Sequence, residues 1–455
     1  MMDVAGKKYL IVGIARSGLA AAELLQAHGA TVLLNDGKPA EKLGKFAAGY
    51  ERFPHHLGGH PLALLDGVSG VIASPGVPPT IPLLVEAQRR GIELIGEIEL
   101  GWRFCRGTLV GITGTNGKTT TTTLTGELLR AAGLPAVTCG NMGHPLARAA
   151  QEAAGAERVF VCELSSFQLE GISSMRPRVG VLLNLTPDHQ DRYPDLESYF
   201  AAKGHLYDCQ TADDWTVVNC ADDKARALAE TSRARRIHIG AGADRFPWAV
   251  YPSEGNLCWR RDGNEEVILP ATAISIPGPH NLENAMAAAA VALAYGVAAT
   301  TVAAVLRTFR GVEHRLEPVL TIDGVTFIND SKGTNVDAVV KSLQSYRQPI
   351  VWLGCGRDKG GDFTVLDPLV QMHVRAVVLF GELAETIERA LTSRPAIVRA
   401  TDMADAVRKG FAAARPGDVV LLSPGGTSFD WYSDFEERGR VFKDAVRALA
   451  AERAR

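Results

Sequence analysis

Short apolar runs recur along the chain, each ending in a turn rich in Gly, Ser, Asn or Asp, and most lead into a stretch of helical period. "KYLIVG" (8–13), the turn "IARSG", the helical "LAAAELLQAHG" and "TVLLND" (31–36) make the opening a strand–turn–helix–strand unit. "GVSGVI" then runs into "ASPGVPP" (73–79), whose Gly and Pro residues rule out helix and predict a strand-end loop. The rhythm continues through "TLVGIT", "RVFVCE", "VGVLLNLT" and "WTVVN", then through a long Ala-rich helix, "NLENAMAAAAVALAYG" (281–296). After "FRGVEHRLE" it restarts with "GVTFIND", "PIVWLGCG", "AVVLFG" and "DVVLLSPGG". Such alternation predicts an α/β protein with mostly parallel sheets, in which ligands bind at the carboxyl ends of the strands.

Length and composition narrow this picture. At 455 residues the chain is too long for one core, and about 150 residues per domain predicts roughly three, the third starting near Gly311. A net charge of -3 excludes the basic footprint of a nucleic-acid binder. Seven scattered cysteines without a C-x-x-C pair fit neither a disulfide framework nor a zinc ribbon, and suit a reducing compartment. The first apolar run breaks at Gly13 and is too short for a secretion or membrane segment, so a cytoplasmic protein is expected.

The candidate chemistry lies in the strand-end turns. "GITGTNGKTTTT" (111–122) places Gly114, Thr115, Asn116, Gly117, Lys118, Thr119 and Thr120 between a strand and a helix, where backbone N–H groups, a lysine and a hydroxyl can grip phosphates and a metal. Its first glycine, Gly111, stands one residue early for the standard P-loop spacing, and no N-K-x-D base-reading motif follows, which favours ATP over GTP. Glu163 ends one strand, and Asp188, His189 and Asp191 lie just beyond the next, natural groups to hold Mg²⁺. Lys203, on the helix after them, reads from composition as a surface lysine. In the first turn Gly13 and Gly18 hold the outer places of a dinucleotide fingerprint, but Ala15 takes the central one, which counts against a nicotinamide-dependent oxidoreductase. Asn35 and Asp36 end the second strand, where ribose or uracil hydroxyls are read.

Further along, "GPHNLENAMAA" offers Asn281 as a helix N-cap and Asn284 as a base reader. "FINDSKGTN" gathers Asp330, Ser331, Lys332 and Thr334; "GCGRDKGGDF" adds Arg357 and Lys359; "SPGGTSFDWYSDFEERG" adds Ser428 and Phe435. Cationic and hydroxyl groups on separate strand ends of one domain suit a small ligand with carboxylates.

With these motifs in order, from "GTNGKTT" through "GNMG", "ELSSFQLE", "DHQDRY", "HNLEN", "HR" and "NDSKGTN" to "FEERG", the chain resembles the Mur ligases end to end. These are ATP-dependent amide-forming enzymes of peptidoglycan precursor synthesis. The D-N-P-R signature of the diaminopimelate-adding branch is missing, and the resemblance is closest to the branch that joins D-glutamate to UDP-N-acetylmuramoyl-L-alanine. It implies an N-terminal Rossmann-like domain for the UDP substrate (1–100), a central P-loop ATPase (101–310) and a C-terminal Rossmann-like domain for the amino acid (311–455). It also implies an acyl-phosphate intermediate, two Mg²⁺ ions with Mn²⁺ the alternative, and a monomer. L-glutamate or another Mur-type substrate is the alternative specificity.

Residue by residue, the resemblance puts Lys118 on the β- and γ-phosphates, and Thr119, Glu163, His189 and Lys203, the last as a carbamate, around the metals. Asn281 and Asn284 would face adenine, Arg315 the phosphates, Asp330 the ATP ribose, and Lys332 the reacting carboxylate. Thr334, Lys359, Ser428 and Phe435 would take D-glutamate. Arg16, Ser17, Asn35, Asp36, Ser74, Gly76, Asn141 and His189 would take the UDP substrate. Two stretches depart from the family pattern: Ala15-Arg16 in the first turn, and Gly425-Gly426-Thr427 where Ala-Cys-Ala is common.

Overall fold

The structure, a computed structural model, describes residues 2–44, 47–141, 143–189, 192–393 and 396–453. The chain forms two compact units, residues 1–271 with 284–305 and residues 272–283 with 306–455.

The first unit holds two sheets. One consists of β1 (Lys8–Val12), β2 (Thr31–Asp36), β3 (His55–Leu57), β4 (Gly70–Ala73) and β5 (Glu93–Gly96), all parallel, in the order β3-β2-β1-β4-β5. Chain direction across the sheet reverses at β1, which opens a crevice at its carboxyl end. Gly18, in the helix Arg16–Ala27, abuts that turn: a Cβ there would lie 2.1 Å from the Gly13 carbonyl oxygen, so only glycine lets the helix start so close to the strand.

The other sheet consists of β6 (Gly107–Thr113), β7 (Ala136–Gly140), β8 (Arg158–Glu163), β9 (Val179–Leu182), β10 (Trp215–Asn219), β11 (Arg235–Ile239), β12 (Trp248–Ser253), β13 (Asn256–Arg261) and β14 (Asn264–Pro270). Its order is β14-β13-β12-β11-β10-β9-β6-β8-β7, parallel as far as β12 and antiparallel beyond. The last three strands are joined by Glu254-Gly255 and Asp262-Gly263, two-residue turns with positive φ throughout, the geometry that matches strand twist in a tight hairpin. Leu100 and Phe104 of the helix Glu97–Phe104 pack with Ala147 and Ala150 of the helix Leu146–Glu152 into the core that also holds Ile11 and Leu24, so the two sheets share buried surface.

The second unit carries β15 (Glu317–Ile322), β16 (Val325–Asn329), β17 (Ile350–Cys355), β18 (Val374–Leu379), β19 (Ala396–Arg399) and β20 (Val419–Gly425), in the order β15-β16-β20-β17-β18-β19. All pairs are parallel except the β15–β16 hairpin. Trp352, Val377 and Leu421 face one helical layer while Val351, Val378 and Val420 face the other, which explains why these strands read as unbroken apolar runs. Among the described residues no helix is long and apolar enough to cross a membrane.

Candidate active site

The loop Gly114–Gly117 joins β6 to the helix Lys118–Ala131, and Gly114 and Gly117 take φ of +148° and +87°. Among the described residues no side chain caps this helix at Gly117, and a glycine-bearing loop leading into a helix N-terminus is the arrangement that binds phosphate. The loop is braced from behind. Thr115 N donates to Asn184 O (3.0 Å), Asn116 N to Asn184 Oδ1 (2.9 Å), and Thr115 Oγ1 to Thr186 O (3.0 Å). Lys118 Nζ folds back onto the carbonyls of Gly114 and Thr115, both at 2.8 Å. Thr119 and Thr120 are buried, and Thr121 Oγ1 donates to Asn284 Oδ1 at 3.2 Å.

β8 lies beside β6 with Glu163 level with Ile112, which sets Glu163 at the same strand end as the loop. The residue is 2% exposed; Oε1 accepts from Asn141 Nδ2 (3.2 Å), and Oε2 is buried with no hydrogen-bond partner among the described residues. An orphaned carboxylate oxygen of this kind fits a hard cation. Lys203, on the helix Leu196–Gly204, is not the surface lysine that composition suggests: it is 2% exposed, donates to Gly114 O (3.0 Å) and sits 4.7 Å over the Tyr199 ring. Burial, reinforced by the nearby Lys118 charge, pushes its ammonium well below the usual lysine range. His189 takes φ +53°, donates its backbone N–H to Asp188 Oδ1 (2.9 Å), and packs its ring 4.8 Å from that of Phe167. Asp191 lies outside the described residues.

Of the residues expected to take the UDP substrate, Arg16 and Ser17 start an uncapped helix, and Arg16 Nη1 donates to Gly143 O (3.4 Å) in the loop that carries Asn141. Ser74 Oγ donates to Gly13 O (2.8 Å), and Gly76 follows in the same loop. Asp36 accepts from Ile14 N (2.8 Å) and Lys38 N (2.9 Å) and so shapes the turn after β1. Asn35 is fully buried, its amide taken up by His56 O, Gly59 O and the His60 ring. Beside Ser74 lies a cavity of about 130 Å³, lined among others by Pro75, Val77, Phe167, Gln168 and Arg192.

In the second unit the loops after β16, β20 and β17, three neighbouring strands, carry Thr334, Ser428 and Lys359. They are stitched together: Gly425 N donates to Gly333 O (2.9 Å), and Arg357 and Thr427 exchange backbone bonds of 2.9 and 3.0 Å. Ser428 is buried, Thr334 half-buried and Lys359 exposed; Lys332 Nζ stands 5.7 Å over the Phe435 ring. Asp330 is a buried hub that accepts from Leu316 N (3.2 Å), Ser342 Oγ (2.6 Å) and Ser423 Oγ (3.0 Å), and burial raises its pKa above the ordinary carboxylate value. Arg315 has a buried Nε without a partner among the described residues. The helix Pro279–Ala294 starts two residues before Asn281, so Asn281 is not its N-cap but lies in the first turn, donating to Pro277 O (2.6 Å).

Three family descriptions match in succession: "Mur ligase MurD-like, N-terminal domain" over residues 7–96, "Mur ligase middle domain" over 112–292, and "Mur ligase, glutamate ligase domain" over 314–426. A UDP-N-acetylmuramoylalanine--D-glutamate ligase of Pelotomaculum thermopropionicum is 43% identical over 99% of this chain and 99% of its own. The chain belongs to the Mur ligase family. A relative of the same description from Caldicellulosiruptor bescii is 40% identical over 98% of this chain and 99% of its own. Among solved structures, the MurF ligase of Thermotoga maritima in complex with ADP shares the fold, with a TM-score of 0.62 at 18% identity over 85% of this chain and 91% of that one. The α/β, three-domain Mur ligase architecture expected from the motifs is therefore the one found.

Two residues of this Mur ligase went unassigned in the sequence. Arg438 and Gly439, in "FEERG", open the last helix: a Cβ on Gly439 would meet His314 Nδ1 at 2.1 Å, and Arg438 is completely buried. Sequence supplies the motif as a signal but not the fact that a charged residue in it is interior. A third signal was legible: Ser165 and Gln168 in "ELSSFQLE" form a reciprocal capping box on the short helix Ser166–Leu169.

Proposed function

We propose that this Mur ligase joins D-glutamate to the alanyl carboxylate of UDP-N-acetylmuramoyl-L-alanine, converting ATP to ADP and phosphate in cytoplasmic peptidoglycan precursor synthesis. The observation that carries the reading is end-to-end identity of 43% with a relative of that description. The phosphate loop and the orphaned Glu163 oxygen, both in place, support it. The protein acts as a monomer, with the division of labour among residues 1–100, 101–310 and 311–455 given above.

A carboxylate is a poor electrophile, so the alanyl carboxylate first attacks the γ-phosphorus of ATP, releasing ADP and leaving an acyl phosphate. The amine of D-glutamate then attacks the acyl carbon and phosphate departs. The chain's own contribution is to hold anions together and keep water out. The uncapped helix at Gly117 and Lys118 bind the phosphates, with Asn281, Asn284, Arg315 and Asp330 on the rest of ATP. Arg16, Ser17, Asp36, Ser74, Gly76 and Asn141 hold the UDP substrate, and the cavity beside Ser74 suits its sugar-alanyl end. Thr334, Lys359, Ser428 and Phe435 hold D-glutamate, and Lys332 steadies the reacting carboxylate.

Thr119, Glu163, His189 and Lys203, once carbamylated, are the groups that would hold two Mg²⁺ or Mn²⁺ ions, which supply charge neutralisation of the phosphates when bound. Lys203 suits this conversion: burial favours its neutral amine, whose lone pair adds to carbon dioxide with loss of one N–H proton, and the resulting carbamate places an anion beside the Lys118 ammonium. Mass spectrometry of the reaction products tests the reading. A UDP-linked species heavier by one glutamyl residue, formed only with ATP, is expected, and its absence with every combination of substrates would sink the proposal.

A further inference from the structure

Arg438 is 0% exposed, yet among the described residues its guanidinium hydrogen-bonds to uncharged acceptors. Nε donates to Ser331 Oγ (3.1 Å) and Nη2 to Ser331 O (2.8 Å), a two-pronged grip on the residue before Lys332. Nη1 donates to Gly426 O (3.1 Å) in the loop that leads to Ser428. Ser331 Oγ donates its own hydrogen bond to Phe435 O (2.8 Å), which ties both loops to the start of the last helix. Position 426 has room for glycine but not, without a shift of its neighbours, for a side chain: a Cβ there would lie 2.3 Å from Leu383 Cδ1 and 2.7 Å from Arg357 O. The departure from Ala-Cys-Ala at 425–427 is therefore fitted to this close backbone.

A buried charge is a poor way to stabilise a fold, because an apolar side chain of like volume commonly does as well or better. What an apolar residue could not do is orient two carbonyls and a hydroxyl with one rigid fork, or leave a permanent positive charge behind the loops that carry Lys332, Thr334 and Ser428. We propose that Arg438 is a positioning residue for the amino-acid substrate, clamping the loop 330–334 to the loop 425–428 and favouring a ligand with two carboxylates between them. This rests on the reading that these loops take D-glutamate.

The test is steady-state phosphate release by the full-length wild type, Arg438→Lys, Arg438→Met and Ser331→Ala, with ATP, UDP-N-acetylmuramoyl-L-alanine and D-glutamate varied in turn, alongside thermal unfolding of each. Arg438→Lys keeps the charge but not the fork, so its KM for D-glutamate is expected to rise about tenfold while the other two KM values stay within about twofold. Arg438→Met should be worse on D-glutamate alone, and Ser331→Ala, which removes one acceptor, milder. If Arg438→Met does not fold, Arg438→Lys and Ser331→Ala read the same contact. Unchanged KM for D-glutamate in the folded variants overturns the proposal, as does a parallel rise of all three KM values that follows the loss of thermal stability. A wild type that releases no phosphate overturns the ligase reading itself and the role of Arg438 with it.

Discussion

Lys118 and Lys203 donate to the same oxygen, the carbonyl of Gly114, at 2.8 and 3.0 Å. Two ammonium groups converging on one acceptor repel each other, and the more deeply buried of them, Lys203, is the one whose charged form is disfavoured. Its conversion to a carbamate would relieve the repulsion. Replacement of Lys203 by Ala is therefore expected to remove nearly all ligase activity, with partial recovery on adding a short carboxylic acid such as formate. Full activity of the variant without added acid would refute the carbamate.

Glu163→Gln keeps the hydrogen bond from Asn141 but turns the orphaned oxygen into a neutral amide. Groups that only support metal ligands already cost about 10- to 100-fold in metal affinity when altered. The variant should need at least about tenfold more Mg²⁺ for half-maximal rate, with thermal stability near that of the wild type. An unaltered Mg²⁺ dependence would remove Glu163 from the metal site.

Gly117→Ala tests the phosphate loop. The new Cβ would stand 2.2 Å from Asn284 Oδ1, and φ at this position is +87°. Strain of that kind costs about 1–3 kcal/mol, enough to lower the melting temperature by several degrees. KM for ATP should rise as well, since the displaced loop can no longer aim its N–H groups; a variant with native ATP affinity would show that the loop shape is not the determinant.

Glu97 gives the first unit a pH-dependent stability. Its carboxyl is buried, which pushes its pKa up to about 7 even though Oε1 accepts from Ala147 N at 2.6 Å; Oε2 has no partner among the described residues. The folded protein then holds a proton there that the unfolded chain releases near the ordinary carboxylate value. The associated stability is present at acid pH and is lost as pH rises from about 4.5 through about 7, on the order of 3 kcal/mol in all. Glu97→Gln removes this dependence, so its melting temperature relative to wild type should climb between pH 5 and pH 8. Parallel melting curves across that range would show that Glu97 is ionised in the fold.

Much of this was written in the sequence. The glycine-bearing turns after β1 and β6 announce themselves because a strand, a turn and a helix leave few other conformations, and Gly18 and Gly117 are confirmed by what a Cβ would strike. The β12–β14 edge is harder to read although Glu254-Gly255 and Asp262-Gly263 are hairpin signals, since its apolar stretches, residues 248–251, 257–259 and 267–269, are short and adjoin polar or charged residues. Burial is what sequence hid. Asn35 was read as facing the crevice, but the loop 56–60 folds over its amide; Lys203 and Arg438 carry charges that composition assigns to solvent, and both are interior. Which charge lies inside depends on non-local packing, not on spacing along the chain.

The central claim is tested most directly by phosphate release from ATP in the presence of UDP-N-acetylmuramoyl-L-alanine, with D- or L-glutamate supplied in parallel. Sustained release that requires both the UDP substrate and D-glutamate, and that falls to background with the L enantiomer, is predicted. Release that is equal for the two enantiomers, or absent with both, would contradict it.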